Sequence, residues 1–144
     1  MKDFVDFVQS NQYYMTNGES KDRSSLVFAF VGDAVFSLFV RTYLADISTA
    51  KAGVLHTETS KFVRASYQKK LLENLLETLN NDEILIINSA RNAKTNNVAK
   101  NSNLEEYKKS TSFEALLGYL YLTHQNARLV ELLDECKKIM EIDL

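Results

Sequence analysis

The sequence predicts a single all-α domain of about seven helices, and three observations support this. The chain has 144 residues with no proline and only four glycines, whereas the turns of an all-β sandwich use many of both. Apolar residues make up 45% of the chain, which is enough for one sizeable core. Over most of the chain these apolar residues recur at helical spacing.

The first two helices are bounded by polar residues, because the chain has no proline to mark helix ends. The segment from Asp3 to Met15 places apolar side chains on one helical face. Ser24 or Ser25 then caps a helix that continues to about Ala45 and is apolar on nearly every side. A helix that is apolar all round is typical of a protein core.

Five further helices follow by the same reasoning. Thr49–Ala65 forms the third, and Ser66 caps a fourth in which leucines repeat at helical spacing. A short helix starts at Asp82 and runs through Ile87. The sixth, roughly Glu105–Thr123, is as apolar as the second, and the last, about Asn126–Glu141, is amphipathic.

Helical periodicity disappears between Ser89 and Asn103, and we predict a long loop there. The segment contains five asparagines and three cations, Arg91, Lys94 and Lys100, but no acid. Amides and cations donate hydrogen bonds to phosphate and sugar oxygens, and long loops in compact domains are usually functional or disordered. A loop that simply faces solvent explains the same composition equally well.

Two carboxylates interrupt the most apolar helices. Asp33 lies within an apolar run of the second helix, and Glu114 within one of the sixth. A buried carboxylate must be neutralised, paired or bound to a cation, because burying its charge alone is costly. Gly32 precedes Asp33, and Gly118 follows Glu114 by one helical turn. Helices that cross at these glycines would bring both carboxylates to one point, where oxygen ligands suit Mg²⁺.

Other side chains give weaker signals. Either acid could instead pair with a buried base such as Arg41 or Arg64, although two acids beside glycines favour a functional pair. His56 and His124 have no cysteine or histidine at ligand spacing, so they do not indicate a zinc site. The lone Cys136 is interpreted as a packed thiol in a reducing compartment.

Neither a targeting segment nor a membrane span is predicted. The chain begins with acids where a signal peptide has bases. Its most apolar run, Leu26–Val40, is too short and too interrupted by polar residues to cross a bilayer. We therefore expect a cytoplasmic protein that does not associate with membranes. The net charge of −2, taken alone, argues against a nucleic-acid partner.

Two motifs resemble the ribonuclease III family. Val31–Val35, with the sequence VGDAV, is similar to the signature helix of the family, and Phe113–Gly118, FEALLG, is similar to its second acidic motif. The element RNAK at residues 91–94 makes the resemblance closer to the compact bacterial branch, Mini-ribonuclease III. This resemblance extends from Ser25 to about Leu133.

The resemblance implies an all-α endoribonuclease domain that acts as a homodimer on double-stranded RNA with Mg²⁺. It implies that the enzyme matures the ends of the 23S rRNA precursor and leaves 5′-phosphates. Asp33 and Glu114 match the catalytic, metal-binding acids of the family. The residues that match the RNA-binding loop of the compact branch are Arg91, Asn92, Lys94 and Lys100.

The expected domain organisation is an N-terminal helical segment, residues 1–20, followed by a ribonuclease III catalytic domain, residues 21–144. No double-stranded-RNA-binding domain is expected, so the loop would take over part of that module's work. Full-length family members carry further acids at the positions of Leu26, Ala29 and Thr111. The compact branch also lacks them, which leaves waters and phosphate to complete the metal shell.

Two other functions remain open from the sequence. The same domain could serve as a non-catalytic RNA-binding or ribosome-assembly module, although such a module has no reason to keep two buried acids. A helical interaction protein that pairs its apolar helices with a partner chain is a further alternative. The sequence also leaves open whether a ribosomal protein assists the enzyme.

Overall fold

The computed structural model describes residues 3–9, 24–93 and 103–144. They form one short 3₁₀ turn and seven α-helices, with no strand among them. The all-α prediction is therefore confirmed. The helices are α1 (Phe4–Val8), α2 (Ser25–Ile47), α3 (Ala52–Val63), α4 (Ala65–Leu75), α5 (Asn81–Asn92), α6 (Leu104–Leu122) and α7 (Asn126–Asp143), and the 3₁₀ turn is Leu76–Thr78.

Helices α2 and α6 form the centre of the domain. Of all helix pairs they share the most extensive contact, and α4 and α5 pack against α6 from other sides. Edge-to-face contact of the Phe36 and Phe113 rings, with centroids 5.0 Å apart, joins the two central helices. The buried residues of α6 all lie from Ser110 onward, in the half of the helix that contains its apolar run.

The two central helices cross at their glycines. A β-carbon on Gly32 would overlap the backbone carbonyl of Glu114 and lie 2.9 Å from the backbone nitrogen of Gly118. A β-carbon on Gly118 would likewise overlap the carbonyl of Phe28. The predicted crossing at small residues is thus confirmed, and it sets Asp33 and Glu114 next to the contact point of the two helices.

Helix α5 is longer than predicted, and this corrects the placement of two candidate RNA-binding residues. It begins with a capping box formed by Asn80 and Glu83 and continues through Asn92, so Arg91 and Asn92 belong to its last turn and not to a loop. The hydrophobic periodicity of the sequence did not predict the last turn of α5, because tertiary contacts hold that turn in place. Ala90 is buried, and the Ser89 hydroxyl donates to Ser25 Oγ of α2 at 3.2 Å.

The predicted N-terminal helix is shorter in the structure. Asp3 caps α1 by accepting from the backbone N–H of Asp6 at 2.8 Å, and the helix ends at Val8. The Gln9 amide is anchored instead to the far end of α6, because its Nε2 donates to the Tyr121 carbonyl at 2.7 Å. The remainder of the predicted segment, residues 10–15, lies outside the described residues.

Helix α2 is long and apolar enough to cross a membrane, judged by length and composition alone. The prediction excluded a span on the basis of a fifteen-residue apolar run, and that length argument is wrong, because the helix covers 23 residues. One such helix is weak evidence for a span, since a core helix passes the same test. Here α2 packs along α6, α3 and α5.

Candidate active site

A cleft of about 320 Å³ opens where α2 and α6 cross. Both candidate acids, Asp33 from α2 and Glu114 from α6, face it. The rest of its wall mixes aromatic, aliphatic and hydroxyl side chains, namely Leu26, Ala29, Phe30, Tyr107, Ser110 and Thr111. The two acids predicted from sequence to meet are therefore brought together in one cleft.

The two carboxyl groups interact directly. Burial raises the pKa of Glu114 to about 9, and the hydrogen bond and negative charge of Asp33 add to that increase. Two carboxylates side by side cannot both ionise at low cost unless a cation lies with them. The arrangement is therefore that of a cation site or of a proton-sharing pair.

The expectation that both acids are buried is only half right. Asp33 is exposed and Glu114 is partly buried. The sequence reasoning failed for Asp33 because α2, although apolar on most sides, leaves one face uncovered in the described chain, and Asp33 lies on that face next to Phe30, whose side chain is 80% exposed.

The alternative in which each acid pairs with a base receives no support. Among the described residues, no salt bridge involves Asp33 or Glu114. Arg41 instead reaches the Ser37 carbonyl of its own helix at 3.5 Å. Arg64 is exposed at the junction of α3 and α4.

A buried amide beside the cleft was missed by the sequence analysis. Gln68 of α4 is only 2% exposed, and its Oε1 accepts from Ser110 Oγ at 2.6 Å. The Gln68 side chain also acts to lower the pKa of the Glu114 carboxyl group, against the effect of burial. The sequence signal was a glutamine close to a run of leucines, which by itself does not distinguish a core position from a surface one.

Among the described residues, the fully buried acid is Glu83 and not Asp33. Glu83 is 0% exposed and receives hydrogen bonds from Arg128 Nε and Nη2, each at 2.9 Å. Its role is structural, since it ties the start of α5 to α7. An Asn-x-x-Glu capping pattern at residues 80–83 was the signal that could have found it.

The structure places the remaining candidate residues in different surroundings. Arg91 and Asn92 are exposed at the end of α5, whereas Lys94 and Lys100 lie outside the described residues. His56 is exposed on α3. Cys136 is fully buried, and burial raises the pKa of its thiol to about 12, which confirms the interpretation as a packed thiol.

The donor set of the cleft suits a hard divalent cation that keeps several of its waters. In the described ranges no three histidine, cysteine or acidic side chains cluster closely enough to hold a metal ion. Two adjacent carboxylates are nevertheless what Mg²⁺ commonly takes from a protein, with waters and substrate phosphate as its other ligands. A zinc site is not indicated, because neither histidine nor cysteine lines the cleft.

Comparison with known proteins identifies the family. The model of the ribonuclease III domain matches residues 26–125. The Mini-ribonuclease 3 of Enterococcus faecalis is 39% identical over 124 residues, which cover 84% of this chain and 94% of that protein. The Mini-ribonuclease 3 of Clostridium tetani is 38% identical over 121 residues, which cover 82% of this chain and 79% of that one.

A solved structure agrees with the fold. The crystal structure of a protein from Fusobacterium nucleatum superposes with a TM-score of 0.75 at 26% sequence identity, covering 87% of this chain and 98% of that chain. The family match includes both acids of the cleft and the helices that carry them. The chain therefore belongs to the ribonuclease III family of endoribonucleases, in its Mini-ribonuclease 3 branch.

Proposed function

We propose that this protein cleaves double-stranded RNA at the cleft between α2 and α6, with Asp33 and Glu114 as its catalytic, metal-binding acids. The observation that supports this most strongly is that both acids line one cleft, where Gly32 and Gly118 let the two helices cross closely. A protein that only binds RNA gains nothing from two acids held together, because their charge repels phosphate.

Mg²⁺ is the proposed cofactor, and the residues present fit it. Asp33 and Glu114 would hold the ion, and Glu114 would give up its proton on binding, since a nearby cation favours the ionised form of a carboxyl group. When bound, the ion polarises the scissile phosphate and lowers the pKa of an attacking water. Hydrolysis is proposed to leave a 5′-phosphate and a 3′-hydroxyl.

Binding of the duplex is assigned to cations near the start of α2. Arg91 and Asn92 extend from the last turn of α5 into solvent, and Ser89 of the same turn contacts Ser25 of α2. The end of α5 therefore borders the same helix that carries Asp33, about two turns further along. Lys94 and Lys100 follow in the sequence and are proposed to extend this contact along the RNA backbone.

A homodimer is the proposed assembly. The outer face of α2 exposes apolar side chains, with Phe30 at 80% and Leu38 at 57% exposure. Large apolar groups on a monomer surface are typical of a protein interface. A two-fold dimer would present two clefts to one duplex, one for each strand.

The proposed biological substrate is the precursor of 23S rRNA, in the cytoplasm. An A-form duplex offers a wide minor groove with 2′-hydroxyls, which is read by shape more than by sequence. A narrow choice among cellular RNAs therefore requires the structure of the precursor or an assisting ribosomal protein.

Cleavage of a perfect RNA duplex by the purified protein, with Mg²⁺ or with EDTA, tests the proposal. We expect cleavage with Mg²⁺ only, 5′-phosphate ends, and no cleavage of a DNA duplex of the same sequence. Sequencing of the ends generated from a 23S precursor would locate the sites. Tight duplex binding without cleavage under any metal condition would favour the RNA-binding module instead.

A further inference from the structure

The amide of Gln68 is buried in an otherwise apolar face of α4. Gln68 is 2% exposed on α4 and belongs to a face that also buries Leu71, Leu72 and Leu75. Burying an amide costs free energy unless all of its hydrogen bonds are made. The presence of this amide among leucines is therefore best explained by the groups to which it hydrogen-bonds.

The hydrogen bonds of Gln68 fix the orientation of its amide. Nε2 donates to the carbonyl of Val63, 3.0 Å away at the end of α3. A carbonyl can only accept, so the nitrogen must face Val63 and Oε1 must face Ser110, whose hydroxyl donates at 2.6 Å. The second N–H of Nε2 is used by neither Val63 nor Ser110, and the Gln68 side chain is close enough to Glu114 to lower the pKa of its carboxyl group.

Both partners on α6 belong to the cleft. Ser110 and Glu114 are four residues apart on α6, hence on one helical face, and both line the cleft that also holds Asp33. Gln68 itself does not line the cleft. It is therefore placed to act on the reacting groups only through Ser110 and Glu114, from a helix that has no catalytic residue of its own in the proposed site.

We propose that Gln68 is a positioning residue that holds the Glu114 carboxylate and the Ser110 hydroxyl in the orientation needed to bind the divalent cation. The inference rests on the proposed function, because it assigns a role to a residue behind the same site. Groups that orient metal-binding carboxylates in this way typically affect metal affinity or activity by about 10- to 100-fold. A residue that only fills the core would affect neither.

The test is Gln68→Met, which keeps the length of the side chain and removes its hydrogen bonds. Mn²⁺ binding to the protein without RNA is measured by electron paramagnetic resonance, and single-turnover duplex cleavage is measured over a range of Mg²⁺ concentrations. We expect affinity for Mn²⁺ to fall by roughly 10- to 100-fold. The Mg²⁺ concentration for half-maximal cleavage should rise in parallel, with duplex affinity unchanged.

Thr59→Val is the matched control. Thr59 is also a buried polar residue, at 3% exposure, but among the described residues its hydroxyl donates only to the Leu55 carbonyl of its own helix. It should lower the melting temperature without moving the metal dependence. If Gln68→Met does not fold, Gln68→Asn, whose shorter amide cannot span from Val63 to Ser110, is measured in the same way and decides the question.

Two results separate the failure of this inference from that of the proposed function. If the wild type cleaves duplex RNA with Mg²⁺ and the folded Gln68 variant shows unchanged Mn²⁺ affinity and an unchanged Mg²⁺ curve, Gln68 is only structural. If the wild type itself does not cleave with any divalent ion, the proposed function fails first. Normal Mn²⁺ affinity in the variant with slower cleavage at saturating Mg²⁺ would also overturn the assigned role.

Discussion

At the scale of single residues, Glu83 and Glu114 both lie in unusual surroundings for an acid, but their roles differ. Glu83 is buried, and two arginine nitrogens bond to it, so its negative charge is compensated inside the protein. Glu114 has another carboxyl group beside it and, among the described residues, no base in a salt bridge with it. A compensated acid stabilises a fold, whereas an uncompensated pair of acids fits the cation site proposed above.

The compensation of Glu83 predicts a dependence of stability on pH. Burial acts to raise the pKa of Glu83, but hydrogen bonds from Arg128 and the Asn80 backbone, with the charge of Arg128, outweigh it and lower the pKa below its usual value. Because the folded-state pKa is depressed, this stabilisation is fully present above the unfolded-state pKa. It is lost as the pH falls through the folded-state pKa.

We therefore expect Glu83→Gln to lower the free energy of unfolding at pH 7, by about 3 kcal/mol if Arg128 is left without a buried partner. The difference from wild type should shrink as the pH falls below about 4. Urea unfolding at several pH values measures it. Lys138→Ala is the control, since its ion pair with Glu135 is exposed and should contribute little to stability. A difference in unfolding free energy between wild type and Glu83→Gln that stays constant down to pH 3 would contradict this explanation.

At the scale of elements, the crossing of α2 and α6 determines the geometry of the cleft. The helices approach so closely that no side chain fits at Gly32 or Gly118. The glycines are therefore required for packing, and the position of the acids follows from them. An added methyl group would meet backbone atoms, which cannot rotate away as a side chain can.

Gly32→Ala should consequently separate the helices. We expect a loss of at least about 1–3 kcal/mol in the free energy of unfolding. In the protein that still folds, cleavage should fall about 100-fold, because an ångström of displacement is enough to misplace reacting groups. Circular dichroism melts and single-turnover cleavage measure the two effects.

Gly53→Ala is the matched control for that substitution. A β-carbon at Gly53 would meet nothing within 4 Å, and alanine is a better helix former by about 1 kcal/mol at most. This variant should be as stable as wild type or slightly more so, with normal cleavage. Equal effects of the two substitutions would contradict the role assigned to the crossing.

At the scale of the whole molecule, the fold followed from the sequence more completely than the details of the site. The apolar pattern was sufficient to predict the fold class and the two core helices. The glycines were sufficient to predict where those two helices cross. Burial was harder to predict, because a helix such as α2 has the same composition whether Asp33 faces the core or solvent. The boundary predicted near residue 20 stays a prediction.

Tertiary contacts account for the other differences. Periodicity did not extend α5 to Asn92, since the contact of Ser89 with Ser25 joins residues 64 positions apart. Gln68 was missed for the same reason: its partner Ser110 is 42 positions away. Contacts of this range leave no periodic signal in a single sequence.

The net charge of −2 predicts how RNA binding should respond to salt. A chain without overall positive charge must use a local group of cations, so few phosphates should be contacted. Arg91→Ala should weaken duplex binding and reduce the slope of log affinity against log salt concentration by about one. Lys138→Ala, on α7, should leave that slope unchanged, and filter binding at several salt concentrations distinguishes the two. An unaltered slope in Arg91→Ala would remove this residue from the interface.

The central claim is that Asp33 and Glu114 together make a metal-dependent site for cleaving duplex RNA. Its most direct test is Asp33→Asn, which removes one charge and keeps the shape of the side chain at an exposed position. Single-turnover cleavage and duplex binding are measured for wild type and variant in Mg²⁺. We predict that cleavage is abolished while duplex affinity is retained. Mg²⁺-dependent cleavage at the wild-type rate by Asp33→Asn would contradict the claim.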